Sequence, residues 1–207
     1  MKNIRSAVFS LVFLSFIPAL VLADDKYPEI LQSIEESNSS LLLYYVGQSC
    51  DSEGREVALS TLRRALSDTG KGIDEVRYGY DGMTVFHHVA SGFSPDVKCP
   101  SEDLADLFVK AAGDKAYEMI CLPDKYRRTA LHLAAGWGHI KIIPPFLKSV
   151  SSSKKAHDLI DGIKDFENKT AYDIRKNEEI GKLLNAYLAI WKDIDFVSKE
   201  IEAEKKL

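Results

Sequence analysis

The chain has 207 residues, of which 45% are hydrophobic and 28% charged, with 27 Lys plus Arg against 31 Asp plus Glu and a formal net charge of −4. That acidic balance lacks the electrostatic footprint of a nucleic-acid binder, so no nucleic-acid partner is expected. The length suits one ordinary core or a short stack of repeats.

Lys2 and Arg5 precede an apolar run from Ala7 to Leu22, and Val21-Leu22-Ala23 places small or apolar residues just before Asp24-Asp25. This pattern predicts a secretory signal peptide over residues 1–23, cleaved after Ala23. An uncleaved membrane anchor is the rival reading. It is disfavoured because the run falls short of the roughly 20 residues that span a bilayer and because Pro18 sits near its end. The mature chain is therefore expected to be secreted or periplasmic, with no stable membrane insertion. Loss of Lys2 and Arg5 takes the net charge from −4 to −6. In an oxidising compartment Cys50, Cys99 and Cys121 would allow one disulfide and one free thiol, and the sequence does not select the pair.

Residues 24–77 read as an N-terminal helical cap. The stretch 24–36 is acidic and mixed, and Ser37-Asn38-Ser39-Ser40 breaks it before an apolar block from Leu41 to Val46. Gly47 to Arg55 reads as a polar loop. Val57, Leu59, Leu62, Ala65 and Leu66 then fall at helical spacing within Glu56–Ser67, and Gly70 and Gly72 end that helix.

Between residues 78 and 177 one pattern recurs. Thr129-Ala130-Leu131-His132-Leu133-Ala134-Ala135 is a short helix opened by a hydroxyl residue, and Gly136 and Gly138 turn the chain back toward a second helix. Thr84-Val85-Phe86-His87-His88-Val89-Ala90 repeats it upstream, with Phe86 on Leu131, His87 on His132 and Ala90 on Ala135. Downstream, Thr170-Ala171-Tyr172-Asp173 repeats it with Tyr at the leucine position and Asp at the histidine position. Asp124 and Asp165 each stand five residues before their Thr.

Second helices are predicted over Ser101–Ala112, with Ser101 as N-cap and Leu104, Leu107, Phe108 and Ala111 as its apolar stripe, and over His139–Val150. Pro144-Pro145 should delay or kink the latter. Ser151 to Lys155 reads as a flexible insertion ahead of a short apolar run, Leu159 to Ile163. From residue 178, Ile180, Leu183, Leu184, Tyr187, Leu188, Trp191 and Ile194 predict a long C-terminal capping helix within 178–207, fraying beyond Val197.

The Thr-Ala-Leu-His-Leu-Ala-Ala run, with the Gly-His that opens the second helix, resembles the Thr-Pro-Leu-His-x-Ala-Ala core of an ankyrin repeat. The resemblance implies an all-α, ankyrin-type helical repeat solenoid with about three repeats, the last degenerate, closed by helical caps. The Thr residues are 45 and 41 residues apart, against a family period of about 33, so loop insertions are expected. Val85, Ala130 and Ala171 stand where the family has Pro, a mild loss at helix initiation. His87 and His132 correspond to the family histidine that bonds the backbone of the adjacent turn.

The resemblance further implies a protein partner, met by the turns before each Thr and by the outward positions of the first helices. In this chain those are Tyr80, Met83 and Ser91, then Lys125, Tyr126, Arg128 and Trp137, then Phe166, Glu167 and Lys169. No catalysis, metal or cofactor is expected, because no zinc-like His or Cys spacing, nucleophile elbow or phosphate-cradling loop is present. Two other classes stay open: an enzyme with a site built by the loops Gly92–Pro100 and Gly113–Lys125, and a structural protein self-associating through its C-terminal helix. Asn168-Lys169-Thr170 would place a sugar on the third turn in a eukaryotic secretory route, which favours a bacterial exporter.

Overall fold

The computed structural model describes residues 26–49, 55–78, 81–92 and 101–204. The expected leader, Cys50, Cys99, Tyr80 and most of the first expected loop lie outside the described residues.

The N-terminal unit contains three helices: α1 (Tyr27–Glu35), α2 (Ser39–Ser49) and α3 (Arg55–Thr69). The first of these was not expected from its mixed composition. Pro28 lies in its first turn, where a missing N–H costs nothing. Ile30 and Ile34, one helical turn apart, are completely buried, and α1 packs against both α2 and α3. Tyr27 and Leu31 pack partly buried beside them, so positions 27, 30, 31 and 34 form one apolar stripe at helical spacing that docks the helix.

A two-residue antiparallel ladder follows, with Arg77 of β1 (Arg77–Tyr78) opposite Thr84 of β2 (Met83–Thr84). The α-helices that follow among the described residues are α4 (Val85–Ala90), α5 (Ser101–Ala112), α6 (Ala116–Cys121), α7 (Ala130–Trp137), α8 (Ile143–Leu147), α9 (Ser153–His157) and α10 (Glu178–Glu204). This is an all-α chain in two layers. One row runs α2, α4, α7 and the other α3, α5, α8, with each element touching the next in its row and its partner in the other. The core lies between them. Phe86 and Phe146 meet edge to face at 5.8 Å between ring centres, beside buried Leu104, Phe108, Leu131 and Ile143. Ala130, Ala134 and Ala135 are completely buried, and their small side chains let α4, α6 and α8 crowd around α7. Ion pairs join the second row at its surface, Lys148 to Asp106 at 2.9 Å and Lys141 to Glu102 at 3.2 Å.

Three segments differ from expectation. Residues 113–125 are not a plain loop: a 3₁₀ turn (Gly113–Lys115) leads into α6, whose Ala116, Met119 and Ile120 are buried. The expected flexible stretch 151–155 enters α9, where the Ser152 hydroxyl accepts the Lys155 N–H and Ala156 is completely buried. Helix α10 stays helical to Glu204, past Val197 where fraying was expected. Both α6 and α9 are too short for an apolar period to show in the sequence.

Elsewhere the expected punctuation is seen. The two prolines occupy the first turn of α8, so the helix starts late. In the third unit residues 171–174 form only a turn, and α10 follows it. The Tyr187 hydroxyl donates to the Leu147 carbonyl and ties α10 to the second row. Among the described residues no helix is long and apolar enough to cross a membrane.

Candidate functional site

The three turns before Thr84, Thr129 and Thr170 share a construction that begins with backbone conformation. Two residues ahead of each Thr the chain enters the left-handed region, at Gly82 (φ 64°), Arg127 (φ 61°) and Asn168 (φ 63°). Glycine and asparagine adopt this readily; arginine does so at a steric cost. Buried carboxylates hold the second and third turns. Asp124 Oδ1 accepts the N–H groups of Tyr126 and Arg128, both at 2.8 Å, while its Oδ2 receives the Arg128 guanidinium at 2.7 and 2.9 Å. Asp165 Oδ1 likewise accepts from Glu167 and Lys169 at 2.8 and 2.9 Å.

Each Thr then meets the residue three places on. The Thr84 N–H donates to His87 Nδ1 at 3.1 Å, with its hydroxyl 2.9 Å away, and the Thr129 N–H donates to His132 Nδ1 at 3.2 Å, with its hydroxyl at 2.7 Å. The opposite ring nitrogens reach forward, His87 Nε2 to the Arg128 carbonyl at 3.0 Å and His132 Nε2 to the Lys169 carbonyl at 3.2 Å. A carbonyl only accepts, so Nε2 carries the proton and Nδ1 is the acceptor. Both rings are completely buried, and burial lowers both pKa values, keeping the imidazoles neutral.

In the third unit Asp173 Oδ2 accepts the Thr170 N–H and hydroxyl, both at 2.9 Å. These bonds lower the Asp173 pKa. A carboxylate reproduces the local half of the histidine's work and drops the forward donation.

Backbone bonds fix adjacent turns to each other. The Lys125 N–H donates to the Asp81 carbonyl and the Phe166 N–H to the Tyr126 carbonyl, both at 3.0 Å. The Lys125 ammonium pairs with the Asp81 carboxylate, which raises the lysine pKa. Tyr126 is 49% exposed and Phe166 78%. The Arg128 guanidinium and the Lys125 ammonium lie 4.8 and 4.9 Å from the Tyr126 ring centre. Glu167 and Lys169 form an exposed pair at 2.6 Å.

Lys125, Tyr126, Arg128, Phe166, Glu167 and Lys169 thus belong to one rigid, backbone-linked pair of turns. The other expected contact residues stand apart. Trp137, 57% exposed, ends α7 at the opposite end from its turn, and its carbonyl receives the Lys176 ammonium at 3.5 Å. Ser91 follows the last residue of α4, the matching end one unit earlier, and its hydroxyl donates to the His88 carbonyl. Met83 is partly buried against the core, and its carbonyl accepts from Ser39. Tyr80 is outside the described residues. Sequence reasoning missed Arg127 and Asp81, whose signal was alignment of the left-handed position and of the turn before it.

Among the described residues, the second of the loops named for the enzyme alternative borders a cavity of about 520 Å³ lined by Tyr117, Glu118, Cys121, Leu122, Asp158, Gly162 and Ile163. Cys121 there is a free thiol. Burial pushes its pKa up to about 11, so it stays protonated and weakly nucleophilic at neutral pH.

No protein-family model matches this sequence, and no curated protein matches it either.

Proposed function

We propose that the chain is an ankyrin-type repeat protein, exported by its leader, that binds a partner protein through the turns before Thr129 and Thr170. The ankyrin reading is supported by the recurring Thr–His geometry, the two rows of paired helices and the bonds from turn to turn. The binding reading rests on one observation: Tyr126 and Phe166 stand exposed on turns whose backbones are already fixed to each other. Large aromatic groups on a pre-ordered frame lose little entropy on binding and dominate interface energies. Export is supported by the charge and apolar pattern of residues 1–23. Catalysis has no part in this reading.

The test is affinity capture with the chain from Asp24, from periplasmic extract and from host-cell lysate in parallel, beside a Tyr126→Ala, Phe166→Ala version with an unchanged circular dichroism spectrum. A partner held by the first and lost by the second is expected. Equal capture by both would remove the turns as the binding surface. The mass of the exported product checks cleavage after Ala23.

A further inference from the structure

The second turn carries a backbone strain that no contact of its own side chain offsets. Arg127 sits in the left-handed region at φ 61°, where the matching positions of the neighbouring turns hold Gly82 and Asn168. Glycine and asparagine enter that region readily, whereas a long side chain enters it against its own Cβ. Residues strained in this way cluster at binding and catalytic sites. Arg127 is exposed, and among the described residues its guanidinium has no hydrogen bond, ion pair or ring contact. The backbone beneath it is fixed all the same. Its N–H donates to the Asp124 carbonyl at 2.9 Å, and the N–H groups on either side of it go to Asp124 Oδ1.

The other cations around it are largely matched. Lys125 pairs with Asp81, Arg128 with Asp124 and Lys169 with Glu167. Residues 124–128 and 164–169 together hold five Lys or Arg against three Asp or Glu, in a chain whose net charge is −4. Of those five, Arg127 and Lys164 are left without an ion pair. The third carboxylate, Asp165, is occupied by the N–H groups of Glu167 and Lys169. An acidic chain thus presents a local positive surplus on the turns that also carry its exposed aromatic groups.

We propose that the partner presents a linear segment bearing a carboxylate, which the Arg127 guanidinium receives while Tyr126 and Phe166 take the segment's apolar side chains. The inference rests on the reading of these turns as the binding surface and adds the chemistry of what they bind. A guanidinium offers two parallel N–H donors that match a carboxylate. Tyr126 precedes Arg127 in the chain and its carbonyl holds the Phe166 N–H at 3.0 Å, so all three groups leave one frame. A basic segment is disfavoured by the same cations. Arg128 and Lys125 already stand 4.8 and 4.9 Å from the Tyr126 ring centre, and a further positive group would meet Arg127 uncompensated.

The experiment pans a random linear-peptide phage library against the chain from Asp24, then titrates the selected peptides, carrying a fluorophore, by anisotropy. The expected peptides carry Asp or Glu beside apolar residues and bind more weakly as salt is added. Arg127→Asn supplies the residue type that stands at Asn168 in the next turn. It should raise the urea midpoint and lower peptide affinity about tenfold. Exchanging the peptide's carboxylate for its amide should cost the same factor on the parent chain and nothing further on Arg127→Asn, because both changes remove one contact. A side chain with no partner would give the gain in stability alone. Peptides that are neutral or basic, or no peptides at all, overturn the proposal, as do unchanged affinity in Arg127→Asn and additive losses in the cycle. The Tyr126→Ala, Phe166→Ala chain separates this inference from the reading beneath it. Binding lost with that pair and kept by Arg127→Asn leaves the turns as the binding surface and removes the acidic segment; binding unchanged by that pair removes the turns, and the proposal with them.

Discussion

At the scale of single residues, the molecule depends on side chains that serve two places at once. His132 accepts from Thr129 in its own turn and donates to Lys169 in the next. His132→Ala removes both bonds inside a buried site and should destabilise the chain by roughly 2–3 kcal/mol in urea unfolding. His132→Asn keeps an acceptor within reach of Thr129, as Asp173 does for Thr170. It should recover about 1 kcal/mol of that loss. Equal losses for the two variants would show that the local bond carries none of the stability. Backbone conformation makes a separate demand. A Cβ at Gly82 would meet nothing within 4 Å, so Gly82→Ala isolates the left-handed strain and should cost roughly 1–2 kcal/mol.

At the scale of helices, what could be read in advance divides along a physical line. Helix α7 was legible because Thr129, His132 and the alanines have fixed places in a known turn and helix. The late start of α8 was legible from Pro144 and Pro145. Helices α6 and α9 were not, because each is short, buries only a few apolar residues and takes its stability from neighbours; the stripe of α1 at positions 27, 30, 31 and 34 was present but masked by the mixed, acidic composition around it. The site divides similarly. The exposure of Tyr126 and Phe166 followed from their positions in the turns, whereas the packing of Met83 against the core was not legible because it depends on contacts far away in sequence. The registration of one turn on the next, Phe166 onto Tyr126, leaves no trace in side-chain pattern because backbone groups make it. The attachment of α10 is testable at this scale. Tyr187→Phe removes the bond to the Leu147 carbonyl and should cost about 1 kcal/mol, with faster amide exchange along residues 178–188.

For the whole molecule, the histidines set a response to acid. Burial lowers the pKa of His87 and His132 and takes His88 down to about 4. Below its ordinary value of about 6.5 a histidine in the unfolded chain binds a proton that its buried counterpart refuses, so acid favours unfolding. The contribution is complete above pH 6.5 and is lost as the pH falls from 6.5 toward 4, on the order of 3 kcal/mol from His88 alone. Urea midpoints measured at intervals from pH 7.5 to 4.5 should be flat at the upper end and decline below pH 6.5. A midpoint that rises on acidification would contradict the assignment of neutral, buried rings.

The histidine contacts also have a direction along the chain. His87 finds its acceptor 41 residues later and His132 finds its own 37 residues later, so every such contact points toward residues synthesised afterwards. On a growing polypeptide the unit around Thr84 waits with an unmet donor until Arg128 has left the ribosome, and the unit around Thr129 waits for Lys169. Asp173 asks for nothing ahead of it. Closure therefore runs forward through the chain, His87 when Arg128 arrives and His132 when Lys169 does, and the third turn closes last on bonds within itself.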